Sequence, residues 1–364
     1  MKDNIIVHVS EVNVSSQSGM GRIEYHWQKA FEKAGYTFIH IGPAEIGPVK
    51  HPALIPRKAY QYYKRLKIKP KAFIVHEPAS GYFVGRGIPC FIESHGIERR
   101  YFEAQVDGSV PSPLADKISL KTKILYPLWR LRGGEKGLRK ATKLFLSNTD
   151  DKAYVMKHYG RKESDIVVFK NGINAVTDTP EAPRDKFRVL FNATWQLRKG
   201  IKTLVQAAEL LHGQGLNINY LLIGTGAEEK DVMDSWPEQL RPFVTSISRF
   251  APEDEAKFLA SASLFVLPSY FEGQPLSLLQ AMGAGKCCIT TNCCGQKDVI
   301  DNGKTGLLFE PGDFNTLASL ISKCYHDKDL TAQIGDNAKR YMENLTWEKV
   351  SQQIVDIVLA EVKP

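Results

Sequence analysis

Along the first half of the chain, short β-branched and aromatic runs at residues 5–9, 37–41, 73–75, 89–93, 143–147 and 166–169 alternate with stretches whose apolar residues recur every three or four positions. Runs of that length bounded by polar turns read as buried strands, and the recurrence between them reads as helices. Ile23, Trp27, Ala30, Phe31 and Ala34 form one such stripe, which stops at Gly35. The opening segment therefore predicts a β-α-β unit whose helix is closed by a glycine.

The pattern restarts beyond residues 174–183, where two prolines and few large apolar side chains mark a linker. Strands are predicted at 188–192, 220–224, 244–247, 264–267, 287–291 and 307–309, and Ile201, Leu204, Val205, Ala208 and Leu211 stripe the clearest helix, at 200–211. Strands that alternate with helices build parallel sheets covered on both faces. The expected fold class is α/β, with two Rossmann-like, doubly wound parallel-sheet domains. In such folds ligands bind outside the carboxyl ends of the strands, so a central cleft between two facing domains is the default site.

Composition narrows the class. With 364 residues, 43% hydrophobic and 24% charged, the chain has room for about two globular domains and is neither disordered nor fibrous in character. The formal charge of +8 is uneven: residues 1–175 hold 29 Lys and Arg against 16 Asp and Glu, and residues 176–364 hold 19 against 24. One half is basic and the other mildly acidic. No run reaches the roughly 18 apolar residues of a membrane span. Met1-Lys2-Asp3-Asn4 leads straight into an apolar strand rather than the core of a signal segment, so a soluble, unexported, cytoplasmic chain is expected.

Candidate chemistry begins with exclusions. The adjacent pairs Cys287-Cys288 and Cys293-Cys294 lack zinc-site spacing and read as small apolar residues of a buried strand and its loop, with thiols reduced. The D-x-D pair Asp327 and Asp329 lies between helical segments and reads as a solvated turn, so no metal is expected. Ser15-Ser16-Gln17-Ser18-Gly19-Met20-Gly21-Arg22 falls at a strand-to-helix turn, where glycines permit close backbone approach and free N–H groups face an anion. A purely structural turn is the alternative. The run Leu264 to Gly285 reads as strand, loop and helix, with Pro275 in the helix's first turn and Glu272 held where the strand ends.

From Phe265 onward the chain resembles the signature of retaining, GT-B fold glycosyltransferases of glycosyltransferase family 4, the glycosyl transferases group 1. The residues that carry it are Pro268-Ser269-Tyr270-Phe271-Glu272-Gly273-Gln274-Pro275 and Gln280-Ala281-Met282-Gly283-Ala284-Gly285. Gly19-Met20-Gly21-Arg22, Ser94-His95-Gly96, Asn171-Gly172-Ile173, Lys199-Gly200, Gly224-Thr225-Gly226, Asn302-Gly303-Lys304-Thr305-Gly306 and Leu345-Thr346-Trp347 extend it, in order, across nearly the whole chain. The resemblance implies an N-terminal acceptor-binding domain over residues 1–177, a C-terminal donor-binding domain over 178–344, and a last helix in 345–364 that crosses back to the N-terminal domain.

It also implies roles. Glu272 would meet the donor sugar's hydroxyls, Lys199 the diphosphate, and His95 the region of the sugar's primary hydroxyl; these are the candidate catalytic residues. For His95 the alternative is a core histidine satisfied by backbone. Candidate donor and nucleotide contacts are Gly19, Gly21, Arg198, Gly224, Gly226, Arg249, Gly273, Gln274, Leu276, Ser277 and Gln280. The implied reaction is hexosyl transfer from a nucleoside-diphosphate sugar, UDP-glucose-like by family frequency, to a glycan or lipid-linked acceptor in polysaccharide or envelope assembly. No cofactor or metal is implied. A nucleotide-sugar epimerase and a catalytically impaired nucleotide-sugar-binding relative are the alternatives.

Two positions depart from the family pattern. Gln280 stands where the family has a ribose-binding Glu, and Ala193 stands where it has a diphosphate-binding Arg. Arg198 lies beside Lys199, but successive residues at a helix start diverge, so an exposed side chain is expected there.

The basic half has two clusters. Residues 57–71 hold seven basic residues, three tyrosines and no acid; residues 112–143 hold nine basic residues against Asp116 and Glu135, around Ile124-Leu125-Tyr126-Pro127-Leu128-Trp129. Basic residues with interfacial Tyr and Trp suit an anionic membrane surface, which predicts peripheral attachment at the inner face of the cell membrane. A solvated face with snorkelling side chains is the alternative. No nucleic-acid fold signature is present, so nucleic acid is not an expected partner.

Overall fold

The computed structural model describes residues 4–17, 19–111, 119–174 and 186–362. The linker expected at 174–183 and the first residues of the basic stretch at 112–143 thus lie largely or partly outside the described residues.

The chain divides into two compact units, one of Met1–Asp107, Leu114–Gly172 and Trp347–Pro364, the other of Gly108–Pro113 and Ile173–Thr346. In the first, strands β1 (Ile5–Val9), β2 (Thr37–Ile41), β3 (Ala72–His76), β4 (Cys90–Ser94), β5 (Lys143–Leu146) and β6 (Ile166–Val168) form one sheet in the order β2-β1-β3-β4-β5-β6. In the second, β7 (Arg188–Asn192), β8 (Asn219–Ile223), β9 (Val244–Ile247), β10 (Leu264–Leu267), β11 (Cys288–Thr291) and β12 (Leu307–Phe309) form another, ordered β12-β11-β10-β7-β8-β9. Every pairing in both sheets is parallel.

Both orders reverse direction at the first strand. The chain leaves β1 for β2 on one side and returns to β3 on the other; β7 stands in the same relation to β8 and β10. That reversal opens a crevice at the carboxyl ends of the central strands. The strands are buried along nearly their whole length, as helix-covered parallel strands must be: β3, β4, β10 and β11 have no exposed position. Separate apolar cores result, one built on Val7, Phe73, Ile92 and Leu144, the other on Leu190, Leu222, Phe265 and Ile289.

The final helix, Trp347–Glu361, belongs to the first unit and packs on helix Gly19–Lys33. Trp347 stacks on His26 with ring centroids 4.4 Å apart, and Lys33 pairs with Glu348 at 2.8 Å. The resemblance implied this crossing-back. Hydrophobic periodicity alone would have left the helix on the sheet that precedes it.

Four local expectations change. Gly19 and Gly21 sit in the first turn of helix Gly19–Lys33 rather than in a loop before it, and the preceding loop is tied to that turn by the Ser15 amide, which donates to the Gly21 carbonyl at 3.1 Å. Pro275 is the residue before helix Leu276–Gly283, one position earlier than expected. Tyr60 and Tyr63, read as interfacial, turn inward and pack against Phe83 and Phe73. The pair read as a solvated turn begins a helix instead: Asp327 caps helix Lys328–Met342 by accepting the Leu330 amide at 2.9 Å, and Asp329 lies in its first turn; the six cysteines are free.

Candidate functional site

In the second unit, β7 runs into a single turn at Leu197–Lys199, then Gly200, then helix Ile201–Gly213. The neighbouring β10 runs into the loop that carries Glu272. Main-chain contacts lock the two loops together. Tyr270 donates its amide to the Arg198 carbonyl at 2.8 Å, and the Tyr270 and Thr203 hydroxyls lie 3.3 Å apart. Gly200 takes φ +75°, and a Cβ there would collide with the Pro268 carbonyl at the end of β10. Only glycine permits that approach.

The consequence is a compact charge cluster at the switch point. Lys199 Nζ donates to Glu272 Oε1, and Arg198 Nη1 lies 3.7 Å from Glu272 Oε2 while reaching toward the Phe271 carbonyl at 3.4 Å. Arg198 was expected to point to solvent; instead it converges with Lys199 on one carboxylate. Both side chains are long, and Glu272 offers one oxygen to each: Oε1 faces Lys199 and Oε2 faces Arg198.

Glu272 is 8% exposed. Burial alone would raise its carboxyl, but Lys199 and Arg198 outweigh that and hold it below its ordinary value. Two cations against one carboxylate leave one net positive charge. It lies in the loop that leads into helix Leu276–Gly283, whose first N–H groups have no intrahelical acceptors. Such a place attracts an anion.

The other predicted residues of this unit fall around it. Gly273 and Gln274 are buried between Glu272 and the helix, and Leu276 and Ser277 open that helix. Gly224 and Gly226 form the loop after β8 with φ +64° and +62°, and the Gly226 amide donates to the Ser248 carbonyl at 3.0 Å. Arg249 follows β9 and is exposed. Gln280 was expected to offer its amide to a ribose; its Nε2 instead donates to Glu255 Oε2 at 2.7 Å, and Asn192 Nδ2 donates to Glu255 Oε1 at 3.0 Å. Glu255 went unnoticed in the sequence, where it is one acid of the run Glu253-Asp254-Glu255 and nothing ties it to residue 280.

Gly19, Gly21 and His95 belong to the first unit. His95 follows β4, and its Nε2 lies 2.8 Å from Glu93 Oε1. Its immediate neighbour is therefore a buried carboxylate, not the backbone that the alternative reading supplied. Around it is a group that sequence reasoning missed: His8, Glu24, His40, His76 and Glu93. Parallel register explains the assembly. His8 pairs with His40 across β1 and β2, His76 pairs with Glu93 across β3 and β4, and side chains paired in register share a face.

The titration of this group is far from ordinary. Burial lowers the His8 ring, but Glu93 and Glu24 outweigh it and raise its pKa overall. Burial drives His40 and His76 down to about 3 each. It lifts Glu24 to about 7, whereas Glu93, penalised by burial too, is held low by His95, His8 and His76.

Two Rossmann-like units, the second with a cationic switch-point cluster, define the GT-B class of fold. Residues 176–341 match the family of glycosyl transferases group 1. Over 159 residues the chain is 33% identical to the capsular polysaccharide biosynthesis glycosyltransferase CapM of Staphylococcus aureus, an alignment spanning 43% of this chain and 40% of CapM. Among solved structures, sucrose-phosphate synthase from Thermosynechococcus elongatus superposes with a TM-score of 0.79 at 20% identity over 98% of each chain. HepE of Anabaena, solved in complex with UDP-glucose, superposes with a TM-score of 0.69 at 17% identity over 98% of this chain and 99% of its own. The likeness to the solved structures shows the GT-B fold, and the family match falls on the sequence of the second unit.

Proposed function

We propose that the protein is a retaining glycosyltransferase of family 4 that moves a hexosyl group from a nucleoside-diphosphate sugar to a glycan or lipid-linked acceptor in polysaccharide or envelope assembly. The observation that carries this reading is the Lys199, Arg198 and Glu272 cluster at the carboxyl ends of β7 and β10. As the glycosidic bond breaks, the departing diphosphate gains negative charge. A fixed ammonium, a guanidinium and helix N–H groups stabilise that charge more in the transition state than in the ground state. Glu272 has two tasks in this scheme: it holds both cations in place and accepts hydrogen bonds from sugar hydroxyls. These groups meet the diphosphate's charge without a metal ion assigned beside it. UDP is the favoured nucleotide, because HepE was solved with UDP-glucose and has the same fold.

A calorimetric screen of UDP-, GDP- and ADP-sugars, followed by an assay of hydrolysis and transfer, tests the proposal. One nucleotide class should bind with slow turnover of its sugar. Failure of all three to bind would overturn the reading. A second reading is favoured by Ala193 and by the Gln280 amide that is already engaged with Glu255: a relative that binds nucleotide sugar but transfers poorly. Tight UDP binding with no turnover of any donor would select it.

The acceptor side is proposed to dock on an anionic membrane through residues 119–132 and 57–71. Helix Leu120–Tyr126 and the turn Pro127–Leu131 present Leu120, Ile124, Leu128 and Trp129 outward, with Leu120 74% and Trp129 61% exposed beside Lys121 and Lys123. Not all the basic residues are available. Arg130 is bound by Glu11 and Glu98, and Lys143 by Glu361. Among the described residues no helix is long and apolar enough to cross a membrane. Binding to anionic vesicles, lost in the double variant Leu128→Ser, Trp129→Ser and weakened by salt, is the expected outcome. Equal binding to neutral vesicles would show the charge to be idle.

A further inference from the structure

The buried group at the carboxyl ends of β1, β3 and β4 has a hydrogen-bond arrangement that can be solved atom by atom. His40 Nε2 faces the Val12 carbonyl at 3.1 Å, and a carbonyl only accepts, so the proton of neutral His40 is on Nε2. Its Nδ1 then accepts from His8 Nδ1 at 2.9 Å. The other nitrogen of His8 faces Glu93 Oε2 at 3.4 Å, so His8 carries both protons. The Ser10 hydroxyl gives its one proton to Glu24 Oε1 at 2.5 Å, and must accept from His76 Nδ1 at 3.4 Å. The proton of His76 is thereby placed on Nδ1.

What remains is an excess of lone pairs. His76 Nε2, stripped of a proton by that arrangement, lies 3.6 Å from Glu24 Oε1 and 3.6 Å from Glu93 Oε2. On the far side, His95 Nε2 lies at ion-pair distance from Glu93 Oε1, 2.8 Å. Glu24 Oε2, His76 Nε2, Glu93 Oε1 and His95 Nε2 are all buried, and the contacts of the last three are to one another or to Glu24. Acceptors forced together in a low-dielectric interior repel one another unless a cation lies among them.

We propose that His76, Glu93 and His95 bind a divalent transition-metal ion of the zinc class, with Glu24 supplying the neighbouring balancing carboxylate. One atom from each of the three ligands lies within 4.8 Å of the others. Each histidine faces its own Glu93 oxygen, His95 Nε2 at 2.8 Å from Oε1 and His76 Nε2 at 3.6 Å from Oε2, distances close to the roughly 3.3 Å between two ligands of a tetrahedral ion at about 2.0–2.1 Å. Two imidazoles and a carboxylate favour zinc or its neighbours over magnesium or calcium, which prefer all-oxygen sites. Ser10 holds the tautomer of His76, as second-sphere partners of metal-bound histidines do. His95 is the least buried of the three, so the site opens on its side.

The test uses the full chain, stripped with a chelator and dialysed, then titrated with zinc chloride by calorimetry and with cobalt chloride by visible absorption. One equivalent should bind, cobalt should give the intense bands of a tetrahedral site, and the melting temperature should rise with zinc. His95→Gln, which changes the most accessible ligand, and Glu93→Gln should each weaken zinc binding about 100-fold or more; His95→Gln should melt like the metal-free parent, whereas Glu93→Gln, which also leaves His8 without its carboxylate, should melt lower. Substoichiometric binding by the parent protein would overturn the proposal. So would unchanged affinity in both variants, which would put the ion elsewhere. Magnesium chloride should give no comparable shift; equal shifts with both ions would also overturn it. None of these readouts depends on sugar transfer, so they stand whether or not the proposed activity does.

Discussion

Lys199→Ala is expected to lower sugar transfer by about 10²–10³-fold, the effect of removing one preorganised donor from developing negative charge. Lys199 is the better-buried cation, with a side chain 12% exposed, and it makes direct contact with Glu272. Glu272→Ala should cost at least as much, because it removes the sugar contact and leaves Lys199 and Arg198 repelling each other in a partly buried place. Arg198→Ala should cost about tenfold, since its side chain is 32% exposed and lies 3.7 Å from the carboxylate. Melting curves for all three separate a site effect from unfolding. For Lys199→Ala the loss should fall on kcat more than on KM, because the leaving charge is larger in the transition state. Equal, small losses in the three variants would remove the cluster from the mechanism.

The fold was largely legible. Period-two and continuous apolar runs marked all twelve strands to within a residue or two, since buried parallel strands must be apolar throughout and the linking helices must be striped. The place of Glu272 at a strand end was legible from the local pattern, whereas Lys199-Gly200 was singled out only by its resemblance to the family's K-G. Three features were not local. The partner of Arg198 came from the loop after the neighbouring strand β10, the partner of Gln280 came from a helix 25 residues away, and the histidine group came from four strands and a helix. Each is set by strand order and register. One histidine in β1 means little until β2 and β3 are laid beside it.

That dependence on close packing leads to the second large effect. Gly200→Ala should destabilise the second unit by more than about 3 kcal/mol. Part of this is conformational: an alanine held at φ +75° costs about 1–2 kcal/mol. The rest is steric, since the new methyl would meet the Pro268 carbonyl, a backbone group that cannot rotate away. Gly215→Ala isolates the first contribution. Gly215 lies just beyond the other end of helix Ile201–Gly213 with φ +79°, and a Cβ there meets nothing within 4 Å. Urea unfolding should show Gly215→Ala costing only the conformational part, with Gly200→Ala exceeding it by about 2 kcal/mol. If the two shift the midpoint equally, the approach of the β7 loop to β10 is not constraining. If they differ as expected, the same methyl should push Lys199 away from Glu272 and weaken donor binding under conditions where the variant is still folded.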